Sequence, residues 1–300
     1  MKSWCVSVMI MFGLLFLFTA TGICQDKSSM NDWVEKVGQG SINWTAGYIE
    51  AVGIGAPADK SVGKINERPK ALRAAKVDAY RNLLEITKGV RVDSATTVKD
   101  FTVESDVIST QVEGLVKGAV VVDQQYMSDG TVEVKVRMPL YGNFSQIIMP
   151  LAIAERKEIT SQEPLPAPAL APAAPAPAPA VTAPAAPVAY TGMVVDARGI
   201  QARPAMSPRV FDEAGKEVYG SGNVDREYAV QQGMSGYARD LTAAQSNQRV
   251  TANPVTIKAL KTSGPGKSDL IISNADAQQV RTSAENASFM KQCKVMIVLD

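Results

Sequence analysis

The segment from Pro164 to Pro187 constrains the fold of this chain more than any other feature of its sequence. It contains nine prolines among 24 residues, and alanine supplies most of the others. Such a composition favours extended polyproline II and has too few large apolar side chains to build a core. At ~3.1 Å per residue, the segment would reach about 75 Å when fully extended. The sequence therefore predicts two folded domains, at 25–158 and 190–300, joined by a linker at 159–189.

The composition of this linker fits a stiff spacer and a simple hinge equally well. A role as ligand for a proline-binding domain is less favoured, because such domains recognise PxxP motifs with flanking basic or aromatic residues. The segment contains neither lysine nor arginine. We therefore interpret it as a connection rather than as a recognition motif.

Residues 1–24 have the organisation of a secretory signal peptide. Lys2 gives a positive start, the run from Val6 to Phe18 is nearly all apolar, and small residues follow at 19–22. An apolar run of about 13 residues matches a signal peptide and is shorter than the ~20 residues that cross a bilayer as a helix. We therefore expect a bacterial protein exported to the periplasm or the outer membrane. An uncleaved amino-terminal anchor is the weaker alternative.

Two cleavage positions satisfy the rule of small residues at alternate positions, one after Gly22 and one after Cys24. Cys24 also suggests a lipid anchor, since bacterial lipoproteins usually have Leu three residues before the modified cysteine and a small residue directly before it. Thr21 and Ile23 occupy those places here. Lipidation of Cys24 is therefore disfavoured. Membrane association through a transmembrane helix of the mature chain is not expected either.

The residue types that support most enzymes and metal sites are scarce. The chain contains no histidine, which is the commonest general base and a usual zinc ligand, and Cys293 is its one cysteine outside the leader. Without the leader, 30 basic side chains face 30 acidic ones, and no dense basic run of the kind that binds nucleic acid is present. We expect no catalytic residue, cofactor, metal ion or nucleic-acid partner. Cys293 is interpreted as a packed residue beside the last strand.

The clearest predicted element is a helix from Glu67 to Lys88. Apolar or small residues recur in it every three or four positions, and charged residues occupy most of the others. This spacing forms one buried stripe along a helix. The predicted inward residues are Leu72, Ala75, Ala79, Leu83 and Ile86.

Around this helix, the first domain is predicted to run β-α-β-α-β-β, with two helices on one side of a sheet. The second helix is Ser105–Lys117, with Val107 among its inward residues, and Ser128-Asp129-Gly130 marks a hairpin. The other predictions are a helical turn at Asp32–Val37 that exposes Trp33, a strand at Ile42–Gly53, a turn at Gly53–Pro57, an extended segment at Val90–Val103, and paired strands at Ala119–Tyr126 and Val132–Met138.

The second domain is predicted to be mixed α/β as well, so the fold class is α/β (α+β) with two small domains. Its last strand, Lys294–Leu299, is almost entirely apolar and is expected near the centre of a sheet. The remaining predictions are a hairpin at Arg209–Tyr219, strands at Tyr190–Asp196, Pro254–Leu260 and Leu270–Ser273, a partly helical segment at 225–244, and a helix at Ala275–Lys291.

Two sequence features invite both a functional and a structural interpretation. Gly53-x-Gly55 precedes Pro57, and no further glycines or lysine open a helix after it, so a turn is favoured over a phosphate-binding loop. Asp196 with Arg198, and Asp225 with Arg226 and Glu227, form charged clusters at predicted element ends. Carboxylates act in acid–base catalysis when burial shifts their pKa values. Solvated loop charges are commoner, and we favour that interpretation.

One stretch of the first domain resembles a known bacterial family. Ala71–Glu85 (ALRAAKVDAYRNLLE), Gly114–Ala119 (GLVKGA) and Asp129–Val134 (DGTVEV) are similar to LPP-twenty-type lipoproteins and to the amino-terminal domains of flagellar assembly proteins T and P. The resemblance covers about residues 42–142. The second domain, with Val195–Gly199 (VDARG) and Arg203–Pro208 (RPAMSP), looks like the carboxyl-terminal companion found in longer relatives.

The resemblance implies an envelope protein without enzymatic activity, often associated with the outer membrane and sometimes part of a periplasmic flagellar ring. It carries no catalytic residues over to this chain, and Cys24 departs from the lipoprotein pattern. The first hypothesis is therefore a structural or assembly protein whose partners are envelope proteins or further copies of itself. A periplasmic binding module for a protein, glycan or small ligand is the second hypothesis. A carboxylate-based hydrolase is the third and ranks last.

Overall fold

A computed structural model describes residues 32–57, 67–149, 190–284 and 288–300. The predicted signal peptide, Cys24 and the Ala/Pro linker lie outside these residues. These described residues belong to one compact unit. We call residues 32–149 the amino-terminal module and residues 190–300 the carboxyl-terminal module. Each contains one sheet and several helices, which confirms the predicted mixed α/β fold class.

The amino-terminal module contains a five-stranded antiparallel sheet with the order β1-β2-β3-β5-β4. Helix α1 packs across β3 and β5, and helices α2 and α3 pack against α1. The strands are β1 Val34–Val37, β2 Gly40–Asn43, β3 Tyr48–Gly55, β4 Val120–Tyr126 and β5 Val132–Pro139; the helices are α1 Glu67–Lys88, α2 Val98–Glu104 and α3 Asp106–Lys117. Residues 143–149 are also helical.

The predicted helix at Glu67–Lys88 is confirmed at both ends. Ala75, Ala79, Leu83 and Ile86 are buried as predicted, whereas Leu72 is half-buried and Ala71 takes the buried position at the first turn. The predicted hairpin is also confirmed, since β4 and β5 pair antiparallel on either side of the Ser128-Asp129-Gly130 turn.

The prediction of a turn at Gly53–Pro57 is wrong, because β3 continues to Gly55. Both glycines face α1. A Cβ atom on Gly53 would lie 2.1 Å from the backbone nitrogen of Ala79, and one on Gly55 would lie 2.0 Å from the carbonyl oxygen of Ala71. The glycines are therefore needed because the helix lies almost against the strand.

Three further local predictions in this module are wrong. Asp32–Val37 contains strand β1 rather than a helical turn, and Trp33 is half-buried. The segment predicted as extended at Val90–Val103 contains all of α2 except its last residue. The Thr97 backbone N–H donates to the Asp100 carboxylate at 2.6 Å at the start of this helix. Val107, predicted to face inward, is exposed on α3.

The carboxyl-terminal module contains a seven-stranded mixed sheet with the order β8-β7-β11-β10-β6-β12-β9. Strand β12 pairs in parallel with β6 and β9, and all four of its residues are buried. The sequence predicts it near the centre of the sheet; it lies inside the sheet, but next to the edge strand β9. The strands are β6 Gly192–Asp196, β7 Val210–Asp212, β8 Glu217–Tyr219, β9 Gly236–Ala238, β10 Pro254–Ser263, β11 Asp269–Ile272 and β12 Val295–Val298.

Three helices accompany this sheet: α4 Arg226–Gln232, α5 Leu241–Gln245 and α6 Asn274–Ala284. The segment predicted as partly helical contains α4 and α5 with β9 between them. The helix predicted at Ala275–Lys291 is shorter than expected. It begins after Ser273, whose hydroxyl accepts a hydrogen bond from the Asp276 backbone N–H at 3.0 Å, as is typical of an N-cap.

The two modules share one continuous hydrophobic core. Trp44 meets the ring of Tyr237 edge to face at 5.8 Å between ring centroids, and the Thr45 hydroxyl donates to the Tyr237 carbonyl at 2.8 Å. The Trp33 indole N–H donates to the Asp300 carbonyl at 2.9 Å. These contacts join Trp33, Trp44 and Thr45 of the amino-terminal module to Tyr237 and Asp300 of the carboxyl-terminal module.

A buried polar cluster reinforces this junction. The Ser94 hydroxyl donates to the Asp269 carboxylate at 2.7 Å, and the Arg209 guanidinium pairs with the same carboxylate at 2.5 Å. The Gly266 backbone N–H donates to the Ser94 carbonyl at 2.6 Å. A Cβ atom on Gly264 would lie 2.4 Å from the Ser94 hydroxyl oxygen. Glycine at this position therefore leaves room for the Ser94 side chain.

Candidate functional site

The charged residues singled out in the sequence occupy two separate places. Arg198 binds Asp196 through two hydrogen bonds, of 2.8 and 2.7 Å, and these hold the pKa of Asp196 below its usual range. Asp225 caps α4 by accepting from the Glu227 backbone N–H at 2.9 Å. Both carboxylates therefore have structural partners.

These two clusters lie at opposite ends of β12. Asp196 is level with Val298 near the carboxyl end of that strand, whereas the Asp225 backbone N–H donates to the carbonyl of Lys291, ahead of its amino end. The structure does not bring them together as an acid–base pair. Among the described residues, no group of three or more His, Cys, Asp or Glu side chains is placed to hold a metal ion.

Cys293 is buried, as the sequence predicted. Burial raises the pKa of its thiol to about 11, so the thiol stays protonated at neutral pH. A protonated, inaccessible thiol is a poor nucleophile. Ser94 is equally inaccessible, since it and its partner Asp269 are almost completely buried between the modules.

The exposed feature that sequence reasoning missed is a groove between α1 and the edge of β3. It has a volume of about 520 Å³ and combines cationic with apolar residues. The groove is lined by Ile54, Lys70, Arg73, Ala74, Val77, Asp78 and Arg81. Ile54 and Val77 are 54% and 55% exposed, although both are large apolar residues. Helical spacing of four at Arg73, Val77 and Arg81 was the available sequence signal.

The charges of this groove are not balanced internally. The Asp78 carboxylate accepts from the Ile54 backbone N–H at 3.0 Å, and Lys70 pairs with Glu67 at 3.0 Å. Within the described part of the chain, Arg73 and Arg81 form no ion pair. They lie eight residues apart on α1, which separates their backbones by about 12 Å at 1.5 Å per residue. The groove therefore offers two guanidinium groups, unpaired among the residues that the structure describes, beside apolar surface.

A second exposed surface runs from the middle of β4 to the turn of the β4–β5 hairpin. We define this hairpin tip as Val122, Asp123, Tyr126, Met127 and Asp129. Its three apolar members are all exposed. The Asp129 carboxylate accepts from the Thr131 backbone N–H, and this bond keeps the pKa of Asp129 low. The hairpin tip is therefore apolar and acidic where the groove is apolar and basic.

The carboxyl-terminal module contains a shallow groove with a different character. Its polar residues carry amides or hydroxyls and no charge: it is lined by Thr242, Gln245, Ser246, Asn247, Gln248, Thr251 and Ala252. Thr251 has a φ of 62°, which is rare for a β-branched residue. Uncharged donors and acceptors of this kind suit a neutral polar ligand.

Comparison with known proteins finds a family match for the carboxyl-terminal module. Residues 192–300 match the family model described as Treponema pallidum Tp0624, second domain. The match begins where β6 begins and covers just over a third of the chain. No curated protein matches this chain. The resemblance of residues 42–142 to LPP-twenty-type lipoproteins stays a prediction.

No helix among the described residues is long and apolar enough to cross a membrane.

Proposed function

We propose that this chain is a non-enzymatic, exported cell-envelope protein with a structural or assembly role. The observation that carries the role is the α1 groove, where Arg73 and Arg81 lack ionic partners in the described residues and flank the exposed Val77. Arginine and exposed apolar side chains are enriched where proteins bind one another. The signal-peptide pattern of residues 1–24 supports export.

The reactive groups singled out in the sequence have structural roles in the described residues. Asp196 and Asp225 hold their own loops, Ser94 and Asp269 are closed between the modules, and Cys293 is a buried thiol. The association with the outer membrane or the flagellum rests on the family resemblance alone. Fractionation of inner membrane, outer membrane and flagellar basal bodies tests it directly.

Export and partner binding are tested together in the native bacterium. We expect the envelope fraction to contain a mature chain that begins between Ile23 and Gln25, as measured by intact mass. We also expect chemical crosslinking in whole cells to give discrete complexes that the Arg73→Glu/Arg81→Glu variant loses. The matched control is Lys76→Glu/Lys88→Glu, which makes the same charge change on α1 outside the groove.

A cytosolic location, or a mass that retains residues 1–22, would overturn the export proposal. A diacylglycerol increment on Cys24 would show that the cysteine is lipidated after all. Crosslinked complexes that persist in the groove variant would show that assembly does not depend on this groove.

The uncharged groove beside α5 favours a second candidate function, a periplasmic binding module for a glycan or another neutral polar ligand. Gln248 lines this groove, and the Asn247 side chain is already held by the Arg249 backbone N–H at 2.9 Å. Envelope glycans should then raise the melting temperature of the wild-type chain. Gln248→Ala should abolish the shift, while Gln125→Ala on the other module should not.

A further inference from the structure

The groove and the hairpin tip lie on opposite edges of the amino-terminal sheet. Strand β2 pairs with β3 as far as Ala51, and the Val52 N–H still donates to the Gln39 carbonyl at 2.8 Å, so β3 from Gly53 to Gly55 is the edge strand on one side. On the other side, β5 separates β3 from β4, whose outer edge is unpaired in the sheet order. The groove adjoins the first edge and the hairpin tip belongs to the second.

Both edges have their main-chain groups partly occupied by side chains. On the β3 edge, the Asn82 amide donates to the Val52 carbonyl at 2.8 Å, and Asp78 accepts from the Ile54 N–H. On β4, a register shift falls between Val121 and Asp123, and the Asp123 carboxylate accepts from the Gln124 N–H at 2.8 Å. Such features prevent another strand from simply adding to a sheet. A partner at either edge must therefore bind through side chains.

The two surfaces are complementary in charge and alike in exposed apolar content. The groove has the cations Arg73 and Arg81, which form no ion pair with another described residue, and the hairpin tip has carboxylates at Asp123 and Asp129. The groove exposes Ile54 and Val77; the hairpin tip exposes Val122, Tyr126 and Met127. Because they lie at opposite edges of the sheet, with β5 between β3 and β4, one chain cannot dock its own hairpin tip in its own groove.

We propose that the hairpin tip of one copy docks in the α1 groove of a second copy, so that the chain self-associates head to tail. Apolar side chains of the tip cover Ile54 and Val77, while the carboxylates of Asp123 and Asp129 approach the guanidinium groups of Arg73 and Arg81. In a pair joined in this way, one copy still has an unoccupied groove and the other still has an unoccupied hairpin tip. Further copies can therefore bind at both ends. This inference rests on the proposed assembly role, for which it names the partner.

The test uses sedimentation velocity of the purified mature chain over a range of concentrations at low ionic strength. We expect wild-type protein to form dimers and larger species as concentration rises, and salt to weaken the association by screening the charges. Arg73→Glu/Arg81→Glu in the groove, or Asp123→Lys/Asp129→Lys in the tip, should each raise the dissociation constant about tenfold or more. The control Lys76→Glu/Lys88→Glu should behave as wild type.

Mixing the two reversed variants is the decisive measurement. The groove variant keeps an acidic tip and gains an acidic groove, whereas the tip variant keeps a basic groove and gains a basic tip. Each should be monomeric alone, and an equimolar mixture should regain association because every contact in it again joins opposite charges. Circular dichroism melts of both variants establish that each is folded.

Three results would overturn the inference: a wild-type chain that stays monomeric throughout, association that neither reversal weakens, or a mixture that stays monomeric. Binding of the monomer to vesicles of anionic phospholipid through Arg73 and Arg81, without self-association, would assign the groove to lipid instead. A monomeric chain that is still exported and crosslinked to other envelope proteins would end this inference and leave the proposed function standing.

Discussion

At the scale of single residues, burial distinguishes side chains that are close neighbours on one helix. Leu83 and Arg81 lie two positions apart on α1, yet Leu83 is completely buried and Arg81 is exposed in the groove. The sequence predicted this difference correctly from a period of 3.6 residues. The sequence did not predict that Ala71, rather than Leu72, is the buried residue near the start of α1. The helical period alone does not show where the sheet beneath the helix ends.

Leu83→Ala should lower the free energy of unfolding by about 2–5 kcal/mol, because the cavity it leaves is enclosed by the shared core. Arg81→Ala should cost well under 1 kcal/mol, since its side chain forms no ion pair among the described residues. Urea unfolding of the mature chain measures both. Equal costs for the two variants would mean that Arg81 contributes to packing that the structure does not show.

The thiol of Cys293 should be unreactive in the folded chain. Its pKa is raised by burial, so the thiolate that reacts with disulfide reagents is scarce below about pH 11. In the mature chain starting after Cys24, we expect Ellman's reagent to detect almost no thiol at pH 8 and one thiol per chain after denaturation. Because the pKa of this thiol is higher in the folded chain than in the unfolded chain, the thiol contributes to the free energy of unfolding. This contribution is complete below the pKa of the unfolded thiol and is lost as pH rises through the pKa of the folded thiol. Rapid native labelling would contradict the buried position.

At the scale of elements, the contact between α1 and β3 decides the shape of the amino-terminal module. Gly53 and Gly55 alternate with outward residues along β3, and small residues alternate with charged ones along α1. Each pattern was visible in the sequence. The identity of the two partners was not, so the glycines were interpreted as a turn, which is their commonest role.

The same substitution should therefore have opposite effects at two glycines. Gly53→Ala places a Cβ atom against the backbone of α1 and should cost about 1–3 kcal/mol, because neither element can move without disturbing the core. Gly114→Ala, inside α3 with open space around it, should stabilise by about 0.5–1 kcal/mol. Thermal unfolding of both variants provides the comparison. A neutral Gly53→Ala would imply a looser helix–strand contact.

At the scale of the whole molecule, the two modules behave as parts of one unit. The sequence predicts an exposed linker over 159–189, and exposed irregular segments are cut first by proteases. Elastase should therefore yield two fragments, near 25–158 and 190–300. Because the modules share a core and the Ser94–Asp269–Arg209 cluster, we expect the fragments to elute together on size exclusion and to separate only in denaturant.

Asp269→Ala tests how much the buried cluster contributes to this association, and Asp196→Ala is the control. Loss of the carboxylate leaves the half-buried Arg209 guanidinium without its ion-pair partner, a change that commonly costs about 3–5 kcal/mol at buried sites. The nicked variant should release its fragments at a lower urea concentration than nicked wild type. Asp196→Ala, which breaks the more exposed pair with Arg198, should change the release little. Fragments that separate without denaturant would show that each module is stable alone.

The sequence by itself determined the features that depend on neighbouring residues. These are the helix at Glu67–Lys88, the β4–β5 hairpin, the apolar last strand, the lack of histidine and the Ala/Pro segment. Spacing, turn chemistry and composition act over a few residues, so they can be read directly. Only the tertiary structure decided that Gly53 lies under α1, that Ser94 meets Asp269, and that Arg73 and Arg81 flank an exposed groove. These facts depend on residues far apart in the chain, which packing alone brings into contact.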